Sequence, residues 1–463
     1  QALAGEAGGV VPDSAREGLL QEVANLVEAP TPLCGAFDEA FLDLPKEVLV
    51  ITMRKHQRYF PVEHPETGEL LPAFIAVANG PIDLDTVRGG NEAVLRARYE
   101  DARFFYEQDL KKSLEEFRPA LEGVMFETAL GNQLQKSERA EALIPVLATM
   151  TGVEGSPAAD AAAAAARLYR ADLTTSVVME MTSLAGVMGK HYALKDGLDE
   201  AVAEAVYEAV LPRQSGDSLP QTDAGALVAL ADRLDSLVGL FAAGGAPTAT
   251  KDVFGLRRVA YGLVQTLVAR GYPFDLVKAV AASAALQPID VPAEVQEEVV
   301  VFVTRRLEQL FVDDGIAVEY VRAVLPERGT DPGLAEATLR ELAAVGEGEA
   351  FQATLEAFGR PTRLVRGKET GDAASVDPAL FEHDEERALW GAYEQASATI
   401  DARMSLPDFL VAIKPVEEAV GPYFDKVFVM AEDEAIRANR LAALAAVARL
   451  PNGVLSFEEL PGF

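Results

Sequence analysis

Cysteine is almost missing from this chain: Cys34 is the single one in 463 residues. A lone thiol excludes an internal disulfide framework and fits a reducing compartment. Long apolar runs are missing too. No stretch reaches the roughly 18 residues a membrane helix needs, and the alanine-rich run between Asp160 and Arg167 reads as helical padding. No membrane partner is expected. Positive charge is scarce: 41 Lys plus Arg against 73 Asp plus Glu leave a formal net charge of −32. Such a chain repels a polyphosphate at long range. A nucleic-acid partner then requires cations gathered locally, because screening confines each charge to roughly 8–10 Å.

Chemistry-bearing motifs are scarce as well. The four histidines, His56, His64, His191 and His383, pair with no other His, Cys or carboxylate at metal-ligand spacing. There is no Walker loop, no G-x-G-x-x-G opening a helix after a strand and no G-x-S-x-G elbow. His383-Asp384 lies in the polar stretch "FEHDEER", and Cys34 has no base near it in sequence. The expectation is no catalytic residue, no metal site and no cofactor bound by this chain.

What is present describes a folded protein. Hydrophobic residues make up 49% and charged residues 25%, and the length allows two to four domains. The first residue is Gln1 with no signal or transit peptide visible, so the start is expected to be processed or truncated. Residues 16–29 read as an amphipathic helix and "EVLVITM" (47–53) as a buried strand. "PETGE" (65–69) reads as a turn and "LLPAFIAVANG" (70–80) as a second strand. From about Leu95 the pattern is almost wholly helical, with breaks at 152–157, 212–225, 242–252, 326–333 and 367–378. The expected fold class is mainly α and multidomain, with an α+β N-terminal segment carrying a β-hairpin.

Cations do gather in places. "ITMRKHQRYFPV" (51–62) crowds Arg54, Lys55, His56 and Arg58 together, at what the strand reading makes a strand end. Arg96 and Arg103 share a helical face with Tyr99 between them. Asp101 falls on the stripe of Val94, Ala97 and Phe104 and is expected to face inward, paired with an arginine such as Arg98. In "GGAPTATKDVFGLRR" (244–258), Thr250 or Asp252 can cap the next helix, whose free amides would join Lys251, Arg257 and Arg258 in a phosphate site. Each cluster has a structural alternative, a solvated element end or arginines paired with surface acids.

Five long stretches carry a resemblance: "LPKEVLVITMRKHQRYFPV" (44–62), "GNEAVLRARYEDARFFYEQD" (90–109), "YRADLTTSVVMEMTSLAGVMGKHYA" (169–193), "ALADRLDSLVGLFAAGGAPTATKDVFGLRRVAYG" (229–262) and "FDKVFVMAEDEAIRANRLAALAAVARL" (424–450). In order, and over essentially the whole chain, they resemble the β subunit of the bacterial-type, heterotetrameric glycyl-tRNA synthetase. The tail "LPNGVLSFEELPGF" is similar to the ending in the cyanobacterial and plastid branch, where α and β parts can be fused. The resemblance implies that the family's N-terminal portion precedes Gln1. It also implies a division of labour within a glycine–tRNA ligase. An α part, separate or fused, forms glycyl-adenylate from glycine and ATP with magnesium, while the β part holds tRNA-Gly and is required for glycylation. The implied assembly is of α2β2 type or a dimer of fused chains. The implied location is the chloroplast, with the mitochondrion second, or the cytoplasm if the source is bacterial.

The resemblance further implies four segments: an α+β segment at 1–130, a degenerate HD-like helical domain at 131–245, a helical linker at 246–345 and a helical anticodon-binding domain at 346–463. In the HD-like segment the pair position reads Ala171-Asp172, and the distal carboxylate would be Asp232. Two carboxylates without imidazoles make a poor transition-metal site, so both are expected to be buried or capping groups. In the last segment the tRNA-reading candidates are Arg360, Arg363, Arg437, Asn439 and Arg440. Arginine suits unstacked bases by stacking and bidentate bonds, and asparagine pairs with base edges. Glu432, Asp433 and Glu434 can instead engage these arginines within the domain. Without the resemblance, the alternative is an HD-type metal-dependent phosphohydrolase or an acidic helical scaffold.

Overall fold

The computed structural model describes residues 1–463 except Ser215. The chain is mainly helical with a small antiparallel sheet, and it divides into two compact units. The first comprises Gln1–Glu141, Asp160–Val210 and Gln221–Val228; the second comprises Ala142–Ala159, Leu211–Pro220 and Ala229–Phe463.

In the first unit, strands β1 (Pro30–Ala36), β2 (Phe60–Glu63) and β3 (Leu70–Asn79) form one antiparallel sheet in the order β1-β3-β2. β3 and the turn before it match the sequence reading. β1 is unexpected, because Pro30 and Pro32 disguise it; as an edge strand it tolerates prolines that a central strand would not. The helix expected over 16–29 is two pieces, Asp13–Arg16 and Leu19–Leu26. Gly18, at φ 72°, breaks them in a conformation that glycine adopts without strain. Ala15, Leu19 and Val23 then pack with Phe60, Val62 and Ile75 in a common core.

The strand expected at 47–53 is a helix, Lys46–Ile51, which continues as a π-helical turn, Thr52–Gln57. β-branched content suggests a strand, but the buried positions Val48, Leu49, Thr52 and Met53 recur every four residues, as on a helix. The cations at 54–58 therefore sit at a helix end ahead of the β2–β3 hairpin, not between two strands.

The long helix Leu84–Asp109 starts well before Leu95, where the Asp83 side chain accepts the N–H of Thr86 at 2.9 Å. Its buried stripe is Leu95, Tyr99, Ala102, Tyr106 and Asp109. Val94, Ala97, Asp101 and Phe104 are exposed, so the inward face lies on the other side from the one expected. Both stripes have helical spacing. Aromatic packing decides between them: the Phe37 and Phe41 rings sit 5.1 and 5.4 Å from Tyr99, whose hydroxyl donates to the Leu49 carbonyl at 3.3 Å. The inward carboxylate is Asp109. It accepts the N–H groups of Ser176 and Val177 at 2.7 and 2.9 Å and the Tyr192 hydroxyl at 2.8 Å. Three donors satisfy it without an arginine.

In the second unit the helices Leu256–Arg270, Leu276–Ala284, Ala293–Asp313, Val318–Arg328 and Pro332–Val345 lead into Glu349–Val365, Asp384–Thr399, Leu406–Lys426 and Glu434–Ala448. The expected breaks at 242–252, 326–333 and 367–378 fall at or beside connections between helices. The Phe457 ring gathers Phe351, Phe358 and Phe409 around it. Arg328, fully buried, donates to the Thr338 hydroxyl at 2.6 Å and the Met404 carbonyl at 2.7 Å, tying the tail of its helix to the 402–404 loop.

Candidate functional site

The cation cluster of the first unit stands on unusual backbone. The π-helical turn is followed by Arg58 at φ 56°, the one non-glycine with positive φ among the described residues. Such features carry a conformational cost and concentrate where a side chain must be aimed. Arg54 Nη2 donates to the Glu17 carbonyl at 3.3 Å, and Arg58 Nε to Glu22 Oε1 at 2.6 Å. Lys55 and His56 are exposed and make no hydrogen bond or ion pair among the described residues. A cleft of about 830 Å³ opens beside them, lined by Glu17, Glu22, Lys46, Glu47, Arg54 and Lys55 among others. Its acids are partly engaged: Lys46 Nζ lies 2.9 Å from Glu63, and His191 Nε2 lies 2.9 Å from Glu47. The His191 hydrogen bond holds the Glu47 carboxyl below its usual range against the opposing pull of burial. Its lining carries the acids Glu17, Glu22, Glu47 and Glu63 against the cations Lys46, Arg54 and Lys55.

Arg96 and Arg103 do not share an open face. Arg96 is exposed, Tyr99 between them is buried, and the Arg103 guanidinium lies 5.0 Å over the Phe41 ring. Asp101 makes no pair with Arg98 among the described residues; both are exposed.

In the second unit the helix start at Leu256 is already occupied. Asp252, not Thr250, supplies the cap: its carboxylate accepts the N–H groups of Leu256 and Arg257 at 2.8 and 3.0 Å. The amides expected to hold a phosphate are spent on it. Lys251 is exposed, and Arg257 donates to the Thr248 carbonyl while lying 3.8 Å from Asp252. Arg257 and Arg258 also line a cavity of about 290 Å³ together with Arg306, which no local sequence signal connects to them.

Near the C-terminus the structure separates the candidates into two groups. Arg440 and Asn439 are buried, 3% and 4% exposed. Arg440 donates to Glu386 at 2.8 Å, to Glu382 at 2.8 Å and to the Phe428 carbonyl at 3.1 Å. Asn439 exchanges two bonds with the backbone of Asp377, at 2.7 and 3.0 Å. Arg437 donates to the Ala431 carbonyl at 3.0 Å and lies 3.6 Å from Glu434. These three are engaged within the domain. Arg360 and Arg363, by contrast, are exposed on the Glu349–Val365 helix, with the Arg360 guanidinium 5.0 Å over the Phe424 ring. Phe428, 74% exposed, lies just past the end of the Leu406–Lys426 helix that carries Phe424. Sequence reasoning missed these aromatics, although Phe424 and Phe428 recur at helical spacing.

Asp172 is buried and accepts the N–H groups of Gly186 and Gly189 at 2.6 and 3.0 Å. A carboxylate so placed anchors the 186–189 backbone. Asp232 is half-buried on the Asp223–Ala242 helix. Among the described residues no group of three His, Cys, Asp or Glu is arranged to hold a metal ion, and no helix is long and apolar enough to cross a membrane.

The chain belongs to an aminoacyl-tRNA synthetase family: residues 1–326 match the model of the glycyl-tRNA synthetase beta subunit. The chain is 49% identical over 449 residues to "Glycine--tRNA ligase, chloroplastic/mitochondrial 2" of Arabidopsis thaliana, covering 96% of this chain and 42% of that protein. It is 40% identical over 449 residues to the "Glycine--tRNA ligase beta subunit" of Syntrophotalea carbinolica, covering 96% of this chain and 64% of the relative. The protein of that name from Desulforudis audaxviator is 39% identical over 461 residues, covering 98% of this chain and 66% of the relative. The chain thus spans less than two thirds of the length of these curated relatives.

Proposed function

We propose that this chain is the tRNA-holding β part of a glycine–tRNA ligase, acting with an α part that uses ATP and magnesium to activate glycine. The observation that carries the reading is the family match together with relatives whose names state that ligase. The family favours this reading over a phosphohydrolase. The surfaces best suited to RNA are the exposed cations left free by internal pairing: Lys55 at the cleft edge with His56 next to it in sequence, and Arg360 and Arg363, the first of them over the Phe424 ring. Cations interleaved with aromatic faces suit an unstacked loop, where phosphates and bases present themselves together. The buried Arg440 and Asn439 hold that surface rather than touch RNA. In this reading 346–463 is the anticodon-reading segment, 246–345 a linker, 131–245 the degenerate HD-like part and 1–130 the α+β segment. The assembly is of α2β2 type or a dimer of fused chains, and the plant relative's name points to chloroplast or mitochondrion.

The test is binding of tRNA-Gly to the purified chain at two salt concentrations, with Arg360→Gln and Arg363→Gln as variants. The double variant should weaken tRNA-Gly binding and flatten the salt slope by about one for each phosphate no longer neutralised. Unchanged binding and slope would remove this surface from the interface. Glycine-dependent pyrophosphate exchange by this chain alone would overturn the division of labour.

A further inference from the structure

We propose that the cavity between the Leu256–Arg270 and Ala293–Asp313 helices is a binding site for a phosphate-class oxyanion. Arg257 and Arg258 enter it from the first turn of one helix and Arg306 from the middle of the other, with Tyr261, Gln265 and Gln214 completing the polar lining. None of the residues lining it is acidic. In a chain of net charge −32, three arginines lining one cavity with no acidic residue among its described lining is a departure that an anion would balance.

The three arginines are not equally committed. Arg257 is held by the Thr248 carbonyl and lies 3.8 Å from Asp252. Arg258 makes no hydrogen bond or ion pair among the described residues and is exposed. The Arg306 guanidinium lies 5.7 Å over the Phe302 ring, and its Nε is buried without a hydrogen-bond partner. A buried N–H left without an acceptor is costly. Two nearby acids already have partners. Asp252 caps Leu256 and Arg257, and Asp313 accepts from the Tyr261 hydroxyl at 3.4 Å and from Gln309 at 2.8 Å.

The planar fork of arginine matches two oxygens of a phosphate. With Arg257 already partnered, the forks of Arg258 and Arg306 remain on one cavity and fit a phosphate group. The phosphate is either a phosphodiester of an RNA backbone or a free phosphate or nucleotide. The site is distinct from the helix-start site expected from the sequence, because Asp252 fills that one. It stands on the cavity alone, whether or not the chain holds tRNA.

The full chain is titrated with inorganic phosphate, followed by calorimetry, and separately with a short RNA duplex of unrelated sequence at two salt concentrations. The variants are Arg258→Gln and Arg306→Gln, with Arg305→Gln, an exposed neighbour outside this cavity, as the control for bulk charge. Arg258→Gln and Arg306→Gln should each weaken phosphate binding roughly tenfold, the scale of a charge-assisted hydrogen bond, and Arg305→Gln should leave it near wild type. If the ligand is an RNA backbone, phosphate competes with the duplex and each variant lowers the salt slope by about one. If it is a free phosphate, the duplex measurements do not change. Because Arg306 is partly buried, thermal melts accompany it; should it fail to fold, exposed Arg258 carries the test alone. No phosphate binding by the wild-type chain, or an equal loss on Arg305→Gln, overturns the proposal. Neither probe is tRNA-Gly, so a failure here is separable from a failure of the ligase reading.

Discussion

Arg440 and Glu386 meet inside the second unit, Nε to Oε1 at 2.8 Å, with side chains 4% and 1% exposed. The same carboxylate accepts the backbone N–H groups of Glu382 and His383 at 2.9 Å each. It thereby fixes the start of the Asp384–Thr399 helix and the position of the Glu434–Ala448 helix together.

This pair gives a pH-dependent stability. Burial alone would raise the Glu386 carboxyl, but the Arg440 bond and the two amides outweigh it and hold it below the usual carboxylate range. A depressed folded-state value contributes stability above the unfolded value, about 4.3, and that contribution is lost as pH falls through the folded value. Glu386→Gln should therefore lower the melting temperature near neutral pH, with the gap to wild type closing below about pH 4. Arg440→Ala, which strands a buried carboxylate, should cost about 3–5 kcal/mol near neutral pH. Calorimetry across pH checks both; a gap that stays constant into acid would show that Glu386 is not ionised in the fold.

Asp109 and Asp101 provide a paired comparison on one helix. Asp109→Ala removes a buried carboxylate that three donors address, and should cost about 1.5–3 kcal/mol or more by urea unfolding. Asp101→Ala, at an exposed position without partners, should stay within about 0.5 kcal/mol of wild type. Reversal of that order would return the inward face to the side that the apolar spacing suggests.

Residue 58 tests the left-handed backbone. Its φ of 56° disfavours any residue with a Cβ by about 1–2 kcal/mol relative to a right-handed conformation. The exposed pair with Glu22 returns little, about 0–1 kcal/mol. Arg58→Gly should therefore be more stable than Arg58→Ala, by roughly 1 kcal/mol once the flexibility of glycine is counted. If the side chain touches RNA, both variants should weaken RNA binding equally. An alanine variant as stable as the glycine variant would mean that this residue does not hold the left-handed conformation in solution.

Much of this architecture is legible in the chain. Helical content, the β3 strand with its turn and the main helix breaks follow from spacing and from glycine and proline. The family follows from five long stretches in order. What is hidden depends on packing between distant residues. The two stripes of the Leu84–Asp109 helix are equally periodic, and only the rings of Phe37 and Phe41 choose between them. Arg440 reads as an exposed cation because its partners Glu382 and Glu386 lie more than fifty residues earlier. Arg306 joins Arg257 and Arg258 only through the packing of two helices. The segment at 47–53 misleads for a local reason: β-branched residues imitate a strand unless the four-residue recurrence of its buried positions is counted.

The chain passes from one unit to the other repeatedly, after Glu141, Ala159, Val210, Pro220 and Val228. No single scission releases either unit whole. During synthesis the first unit stays incomplete until Val228 has left the ribosome, long after the opening stretch of the second, Ala142–Ala159, has emerged. The usual order, in which an N-terminal domain closes before the next begins, is closed to this polypeptide. A fragment ending near residue 140 would lack the later stretches of chain that complete its own unit, so gene truncations at that point should yield aggregates rather than a working half.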